Sequence, residues 1–304
     1  MDEPFGDRTP PDLALTEGRV VLPEQEETVP HAHEPGAALS AVPSTLRIPL
    51  AARALGDAMF PRVAVGDAYA AAALRALGDD GSLWLRDRQS VYGVLARTRR
   101  FREIAQRFLI DHPAGHIVNL GCGLSHYFQW LDNGRARMTD ADLAEVLTLR
   151  RRLMPAAGER HEVREVDLTA AGWWDRLDLA DGPGDAPVFL MAEGVLMYLQ
   201  PSTVNHLLKT FGERAPEGSV LAFDAMCWLA AGRAKQHPSV KHTEAEFHWG
   251  PRRTAELTAV SPRLKLSGTH TVMEGYGLPY SWIGPSFHWM LGVPFYALYE
   301  LAIS

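Results

Sequence analysis

The nine residues His116–Leu124, HIVNLGCGL, carry the pattern in this chain best suited to chemistry. A short β-branched run ends in Asn119-Leu120-Gly121-Cys122-Gly123, and a helix-compatible stretch follows at once. A strand that turns on glycines into a helix lets a nucleotide approach bare backbone, because no side chain stands in the way. The turn is Gly-x-Gly without the third glycine of a dinucleotide fingerprint, and no Tyr-x-x-x-Lys pair accompanies it, so it fits NAD poorly. Asp142 can cap the helix that follows it. Glu193 comes directly after the apolar run Val188–Ala192. A carboxylate buried there is costly unless it has a partner.

These residues need elements to hold them. The spacing predicts strands over His116–Leu120, Ala136–Thr139, Glu162–Val166, Val188–Ala192, Ser219–Phe223, Leu264–Val272 and Phe295–Ile303. Between them, helices are expected over Tyr127–Leu131, over Leu143–Leu153 with arginines in its last turns, and from Pro201 to about Arg214. Strands alternating with helices imply an α/β fold, a Rossmann-like, mostly parallel seven-stranded sheet. Ahead of it, IPLAARALGDAMF, DAYAAAALRAL and Val91–Ile110 have apolar residues at helical spacing. The expected organisation is an acidic, disordered tail over 1–40, a helical cap over 41–112 and the α/β domain over 113–304. Within that domain, residues 225–262, rich in Trp, His and Pro, read as a lid over the carboxyl edge of the sheet. His31 and His33 read as part of the solvated tail rather than as a metal site. Gly275–Gly277 and Pro279–Gly284 read as turns around Tyr276, Tyr280 and Trp282, rings available to line an acceptor pocket.

Composition narrows the partners. The chain has 304 residues, 46% of them hydrophobic and 22% charged, with a formal charge of −7. That balance, with no lysine- or arginine-rich run, argues against nucleic acid. Cys122 and Cys227 are far apart and read as reduced thiols. No signal-peptide pattern opens the sequence, and the apolar stretch Trp289–Ile303 is broken by Pro294 and Glu300. A cytoplasmic protein, off the membrane and either monomeric or homodimeric, is expected. No Cys/His cluster suggests a required metal.

Six blocks resemble, in order, the class I S-adenosylmethionine-dependent methyltransferases of the leucine carboxyl methyltransferase family, in particular its TcmP-like polyketide O-methyltransferase branch. They are STLRIPLAARA at 44–54, GVLARTRRF at 93–101, VNLGCGL at 118–124, DADLAEVLTLRR at 140–151, AEGVLMYL at 192–199 and TEAEFHWG at 243–250. The resemblance implies that Gly121 and Gly123 pass beneath the methionine part of S-adenosylmethionine, flanked by Asn119 and Cys122. It implies that Asp142, beside Leu143, accepts from the ribose, and that Asp167 and Leu168 flank the adenine. Glu193, beside Gly194, would face the cationic end of the cofactor. Arg97 and Arg53 would pair with its carboxylate. Tyr198 would sit near the acceptor. Ser125-His126-Tyr127 departs from the Asp-Thr-Arg usual in that branch, and Ala144 replaces a proline.

The cofactor would bring an activated methyl group, so the protein must align an acceptor and exclude water. A carboxylate acceptor needs no base, whereas a phenol, with a pKa near about 10, benefits from one. His126, His248 and His270 are the imidazoles considered for that task, with His248 and Tyr198 named as catalytic candidates. His126, Tyr198, Trp228, Trp249 and Tyr276 are expected to line an acceptor pocket. The reading is methyl-ester formation on a carboxylate of a polyketide-like or other secondary metabolite. Phenolic O-methylation is the nearest competitor, followed by methylation of a protein carboxyl terminus and by cofactor binding without catalysis.

Overall fold

Strand pleating explains the architecture. In β1 (His116–Leu120), Val118 and Leu120 face one apolar cluster while Ile117 faces another. In β4 (Val188–Ala192), Val188, Leu190 and Ala192 face the first cluster, and Phe189 and Met191 the second. Successive side chains point to opposite faces, so a strand apolar at every position must be covered on both. The computed structural model describes residues 43–179, 181 and 184–304. The acidic stretch 1–40, with His31 and His33, lies outside the described residues.

Three short helices, α1 (Arg47–Leu55), α2 (Ala70–Ala76) and α3 (Ser82–Leu85), and the long α4 (Arg88–Asp111) precede the first strand. Asp87 caps α4 by accepting from the Ser90 amide. After β1 come α5 (Phe128–Leu131), β2 (Arg137–Asp142), α6 (Ala144–Leu153), β3 (His161–Glu165), β4, α7 (Pro201–Arg214), β5 (Val220–Met226), β6 (Leu264–Thr271), α8 (Tyr280–Leu291) and β7 (Tyr296–Ile303). The sheet order is β3-β2-β1-β4-β5-β7-β6, and β7 alone runs antiparallel to its neighbours. The sheet is thus the expected seven-stranded, mostly parallel one. Strand order reverses between β1 and β4, and in such sheets ligands bind outside the carboxyl ends at that switch point.

Helix α7 covers the first cluster with Val204, Leu207, Leu208 and Phe211, against Trp173 and Trp174. Helix α4 covers the second with Phe101, Ile104, Ala105 and Phe108. A third cluster joins α1–α3 to Met197, Met226, Val240 and Phe247, across the carboxyl ends of the strands.

One local expectation fails. Residues 280–291 form α8 rather than a run of turns. Gly284 serves close packing there, since a Cβ at that position would meet the Glu274 side chain at 3.0 Å. Trp282, expected near an acceptor pocket, is instead exposed on α8. No helix among the described residues is long and apolar enough to cross a membrane.

Phe211 is fully buried, so Phe211→Ala should cost about 3–5 kcal/mol. Lys209→Ala, on the exposed face of the same helix, should stay within about 0.5 kcal/mol. Urea unfolding of the two variants checks the pair.

Candidate active site

A cavity of about 710 Å³ opens at the carboxyl ends of the parallel strands. Its wall includes Gly121 and Gly123 after β1, Asp142 ending β2, Asp167 and Leu168 after β3, and Glu193 and Gly194 after β4. Arg53, Arg97, Cys122, Leu143 and Tyr198 also reach it. Twelve expected site residues thus meet in one place, from segments more than a hundred residues apart.

The glycine turn is held from both sides. Gly121 and Gly123 have φ of 65° and 52°, where L side chains are strained. A Cβ on Gly121 would also strike Val195 at 2.5 Å. The Gly121 and Cys122 amides donate to the Ala141 carbonyl at 2.8 and 3.1 Å. Asp142 accepts from the Gly123 amide at 2.7 Å and from the Leu143 amide at 2.8 Å. Its two oxygens each keep a further lone pair for an incoming hydroxyl. Burial raises the Asp142 carboxyl above its ordinary pKa.

Three successive carbonyls of the turn are gripped by guanidinium groups. Arg150 Nη1 donates to the Gly123 and Ser125 carbonyls, and Arg53 Nη2 donates to that of Leu124 at 3.0 Å. Arg150 is paired with Asp140, and Arg53 with Asp67 at 2.9 Å. All four side chains are almost fully buried. Asn119 lies beneath the turn rather than on the cavity wall, donating to Ser125 Oγ and Asp140 Oδ1, both at 3.1 Å. His126 also lies away from the cavity, edge-on to Tyr69 and close to His161. Burial, then His161 and Arg150, push its pKa down to about 4. His126, Asp140 and His161 offer ligand atoms within 4.8 Å of one another. The Asp140 charge is already met by Arg150 and its oxygens by Asn119 and His161, so this group braces the turn.

The other pole is acidic. Glu193 accepts from Arg97 Nε at 2.9 Å, Thr98 Oγ1 at 2.8 Å and the Tyr127 hydroxyl at 2.6 Å. Arg97 Nη1 also donates to Asp224 at 3.2 Å and to the Tyr296 hydroxyl at 3.0 Å. Asp224 accepts from Tyr296 and from the Gly194 amide, both at 2.6 Å. Burial raises the Asp224 carboxyl despite Arg97. Two carboxylates therefore face one guanidinium, which suits a cationic ligand group. Nε and Nη1 of Arg97 are thus engaged with protein acids.

Several expected acceptor residues lie elsewhere. The strand-like segment around Phe247 alternates, so Phe247 faces the cavity while His248 is exposed and Trp249 packs on Phe223. The His248 amide donates to the Met197 carbonyl at 2.8 Å, which fixes that alternation. Trp228 lies under the Arg252 guanidinium, and Tyr276 packs among Phe60, Tyr92 and Tyr280. His270 sits on β6 against Glu300, away from the cavity. His237, Arg233, Tyr280 and Tyr296 take the vacated places on the wall. Tyr280 is among the rings the sequence offered for such a pocket, whereas no periodic or motif signal marks the other three. Tyr198 lines the cavity beside Phe247, and burial lifts its hydroxyl to about 12, so it remains a protonated donor at neutral pH.

A doubly wound sheet with such a turn, an acid ending β2 and an acidic pole after β4 defines an S-adenosylmethionine-dependent methyltransferase. Its fold matches that of a putative methyltransferase from Thermobifida fusca, at a TM-score of 0.51 and 16% identity, covering 77% of this chain and 93% of that one. The family profile described as leucine carboxyl methyltransferase matches residues 38–212, and the chain belongs to that family. It is 31% identical over 239 residues to the tetracenomycin polyketide synthesis O-methyltransferase TcmP of Streptomyces glaucescens, covering 78% of this chain and 85% of that protein. It is 29% identical over 267 residues to the S-adenosyl-L-methionine-dependent methyltransferase dpfgK of Gibberella zeae, covering 81% and 88%. The chain is an S-adenosylmethionine-dependent O-methyltransferase.

Burial raises the Asp140 carboxyl, but Arg150 and His161 outweigh it and leave the pKa below the ordinary value. Its contribution is therefore complete above about pH 4, the unfolded value, and is lost as pH falls through the lower folded value. Asp140→Asn should cost about 3–5 kcal/mol at pH 7, because Arg150 stays buried without its counter-charge. Denaturation of both proteins from pH 7 down to pH 3 should show that gap narrowing at the acid end.

Proposed function

We propose that this methyltransferase forms methyl esters on a carboxylate of a small, polyketide-like secondary metabolite. The carrying observation is the hydrogen bonding of the groups on the cavity wall. Among the described residues, His237 is the only imidazole on that wall. Its Nδ1 accepts from the Val240 amide at 3.3 Å, and burial lowers its pKa although Asp87 partly offsets this. A neutral imidazole whose Nδ1 accepts has its proton on Nε2, so it donates and does not take a proton. Asp87 is also on the wall, accepting from Ser90 Oγ at 2.5 Å and Ser239 Oγ at 2.8 Å. Burial raises its carboxyl, but those hydroxyls and the Ser90 amide outweigh it, so it is a weak base. Tyr198, raised to about 12, does not serve as a base either.

A carboxylate acceptor needs none of them. Bound S-adenosylmethionine supplies a methyl carbon whose transfer forms a C–O bond, returns the C–S pair to sulfur and moves no proton. The chain's own task is placement. Leu46, Ile48, Val94, Met197 and Phe247 give the acceptor chamber an apolar wall that suits an aromatic body. Asp142 would hold the ribose, Asp167 and Leu168 would flank the adenine, and the Glu193–Asp224 pole would face the cationic end. The similarity to TcmP, a tetracenomycin polyketide synthesis O-methyltransferase, supports an acceptor of that type.

The test is product chemistry. The protein, incubated with methyl-labelled S-adenosylmethionine and either anthracene-2-carboxylate or 2-naphthol, should label the acid. Mild alkali should release that label as methanol. Labelling of the naphthol alone, in a form stable to alkali, would replace the ester reading with ether formation.

A further inference from the structure

The lid has a charge pattern that the reaction described so far does not use. From Ala225 to Thr243 the chain contains no Asp or Glu, yet it carries Arg233, Lys235 and Lys241 within a protein of formal charge −7. Lys235 is engaged, its Nζ donating to the Thr243 carbonyl at 2.8 Å. Arg233 is on the cavity wall, and among the described residues its guanidinium makes no hydrogen bond or ion pair. The other two guanidinium groups on that wall, Arg53 and Arg97, are both bound to protein carboxylates.

Arg233 and His237 flank one short 3-10 turn, Ala234–Gln236. The turn is anchored: the Gln236 amide donates to Arg233 O and the His237 amide to Ala234 O, both at 2.9 Å. The neighbouring Gly232 amide donates to Phe247 O at 2.8 Å. The turn therefore sets an unpaired cation and an Nε2–H donor on the same stretch of cavity wall. The nearby acid, Asp87, has its oxygens occupied by Ser90 and Ser239.

We infer that Arg233, assisted by His237, forms an anion subsite that holds the acceptor's carboxylate and selects acids over neutral analogues. The inference rests on the carboxylate reading above. A guanidinium matches the two oxygens of a carboxylate, and a donor beside it can hold the oxygen that is not methylated. Both are positioning residues. They restrict rotation of the carboxylate while the apolar wall holds the rest of the acceptor.

The probes are anthracene-2-carboxylate and its uncharged carboxamide, titrated into the protein loaded with S-adenosylhomocysteine. Wild type should bind the acid about tenfold or more tightly than the amide, the scale of a hydrogen-bonded charge pair. Added salt should reduce that preference, since Arg233 is exposed. Arg233→Gln should bring the ratio near one and Arg233→Lys should restore part of it, with S-adenosylhomocysteine affinity unchanged in both. Lys241→Gln removes the same charge from outside the wall and should leave the ratio as in wild type. No acid preference in wild type, or a preference retained in Arg233→Gln, overturns the inference. Equal esterification by wild type and Arg233→Gln would reject the subsite and keep the ester reaction. A lost preference together with an alkali-stable product would keep the subsite and reject the ester.

Discussion

The site depends on a clamp of buried charge around one glycine turn. The carbonyls of Gly123, Leu124 and Ser125 point at guanidinium groups, two at Arg150 and one at Arg53. Burying two arginines is costly, and Asp140 and Asp67 offset that cost. The arrangement ties distant parts of the chain together. Arg53 comes from α1, Asp67 from the loop before α2, Asp140 from β2 and Arg150 from α6. The helices that precede the sheet are thus part of the cofactor turn's support, since α1 cannot shift without releasing Leu124.

A second consequence is electrical. Beyond the turn, Glu193 and Asp224 share Arg97, so this end of the cavity holds an excess of acid. The segment from Ala225 to Thr243 is free of acids for nineteen residues and brings Arg233 to the same wall. Methyl transfer from a sulfonium to an anionic oxygen joins unlike charges, and the reacting groups gain most from being oriented beforehand. In the proposed reaction, that orientation would come from the polar network beneath the glycine turn and from the short anchored turn Ala234–Gln236.

Much of the fold was legible because strand signals are local. The runs HIVNL and VFLMA are apolar on both pleats, and such runs between helices belong in a buried parallel sheet. Glu193 was legible as a strand-end acid for the same reason, whereas Asp142 and Asp167 were marked by the resemblance to the family. The partners were not. Arg150, Arg151 and Arg152 read alike as charges at a helix end, but each residue turns about 100° from the last. Only the assembled sheet, with Asp140 beside them, shows that Arg150 faces inward. His237 sits in a lid without periodicity, so nothing in the sequence distinguished it from His248, one alternation away from the cavity. Helix α8 was hidden by Gly284 and Pro285, which read as breakers until the packing of Gly284 on Glu274 is seen.

The central claim is that the turn, Asp142 and the acidic pole form a preorganised cofactor site. Calorimetric titration of the intact protein with S-adenosylhomocysteine, beside an Asp142→Ala variant, tests it most directly. The account predicts saturable one-site binding by the intact protein and its loss or severe weakening in the variant, with the fold retained by circular dichroism. Binding that is equally tight in the variant would remove Asp142 from the site. No binding by the intact protein would contradict the account as a whole.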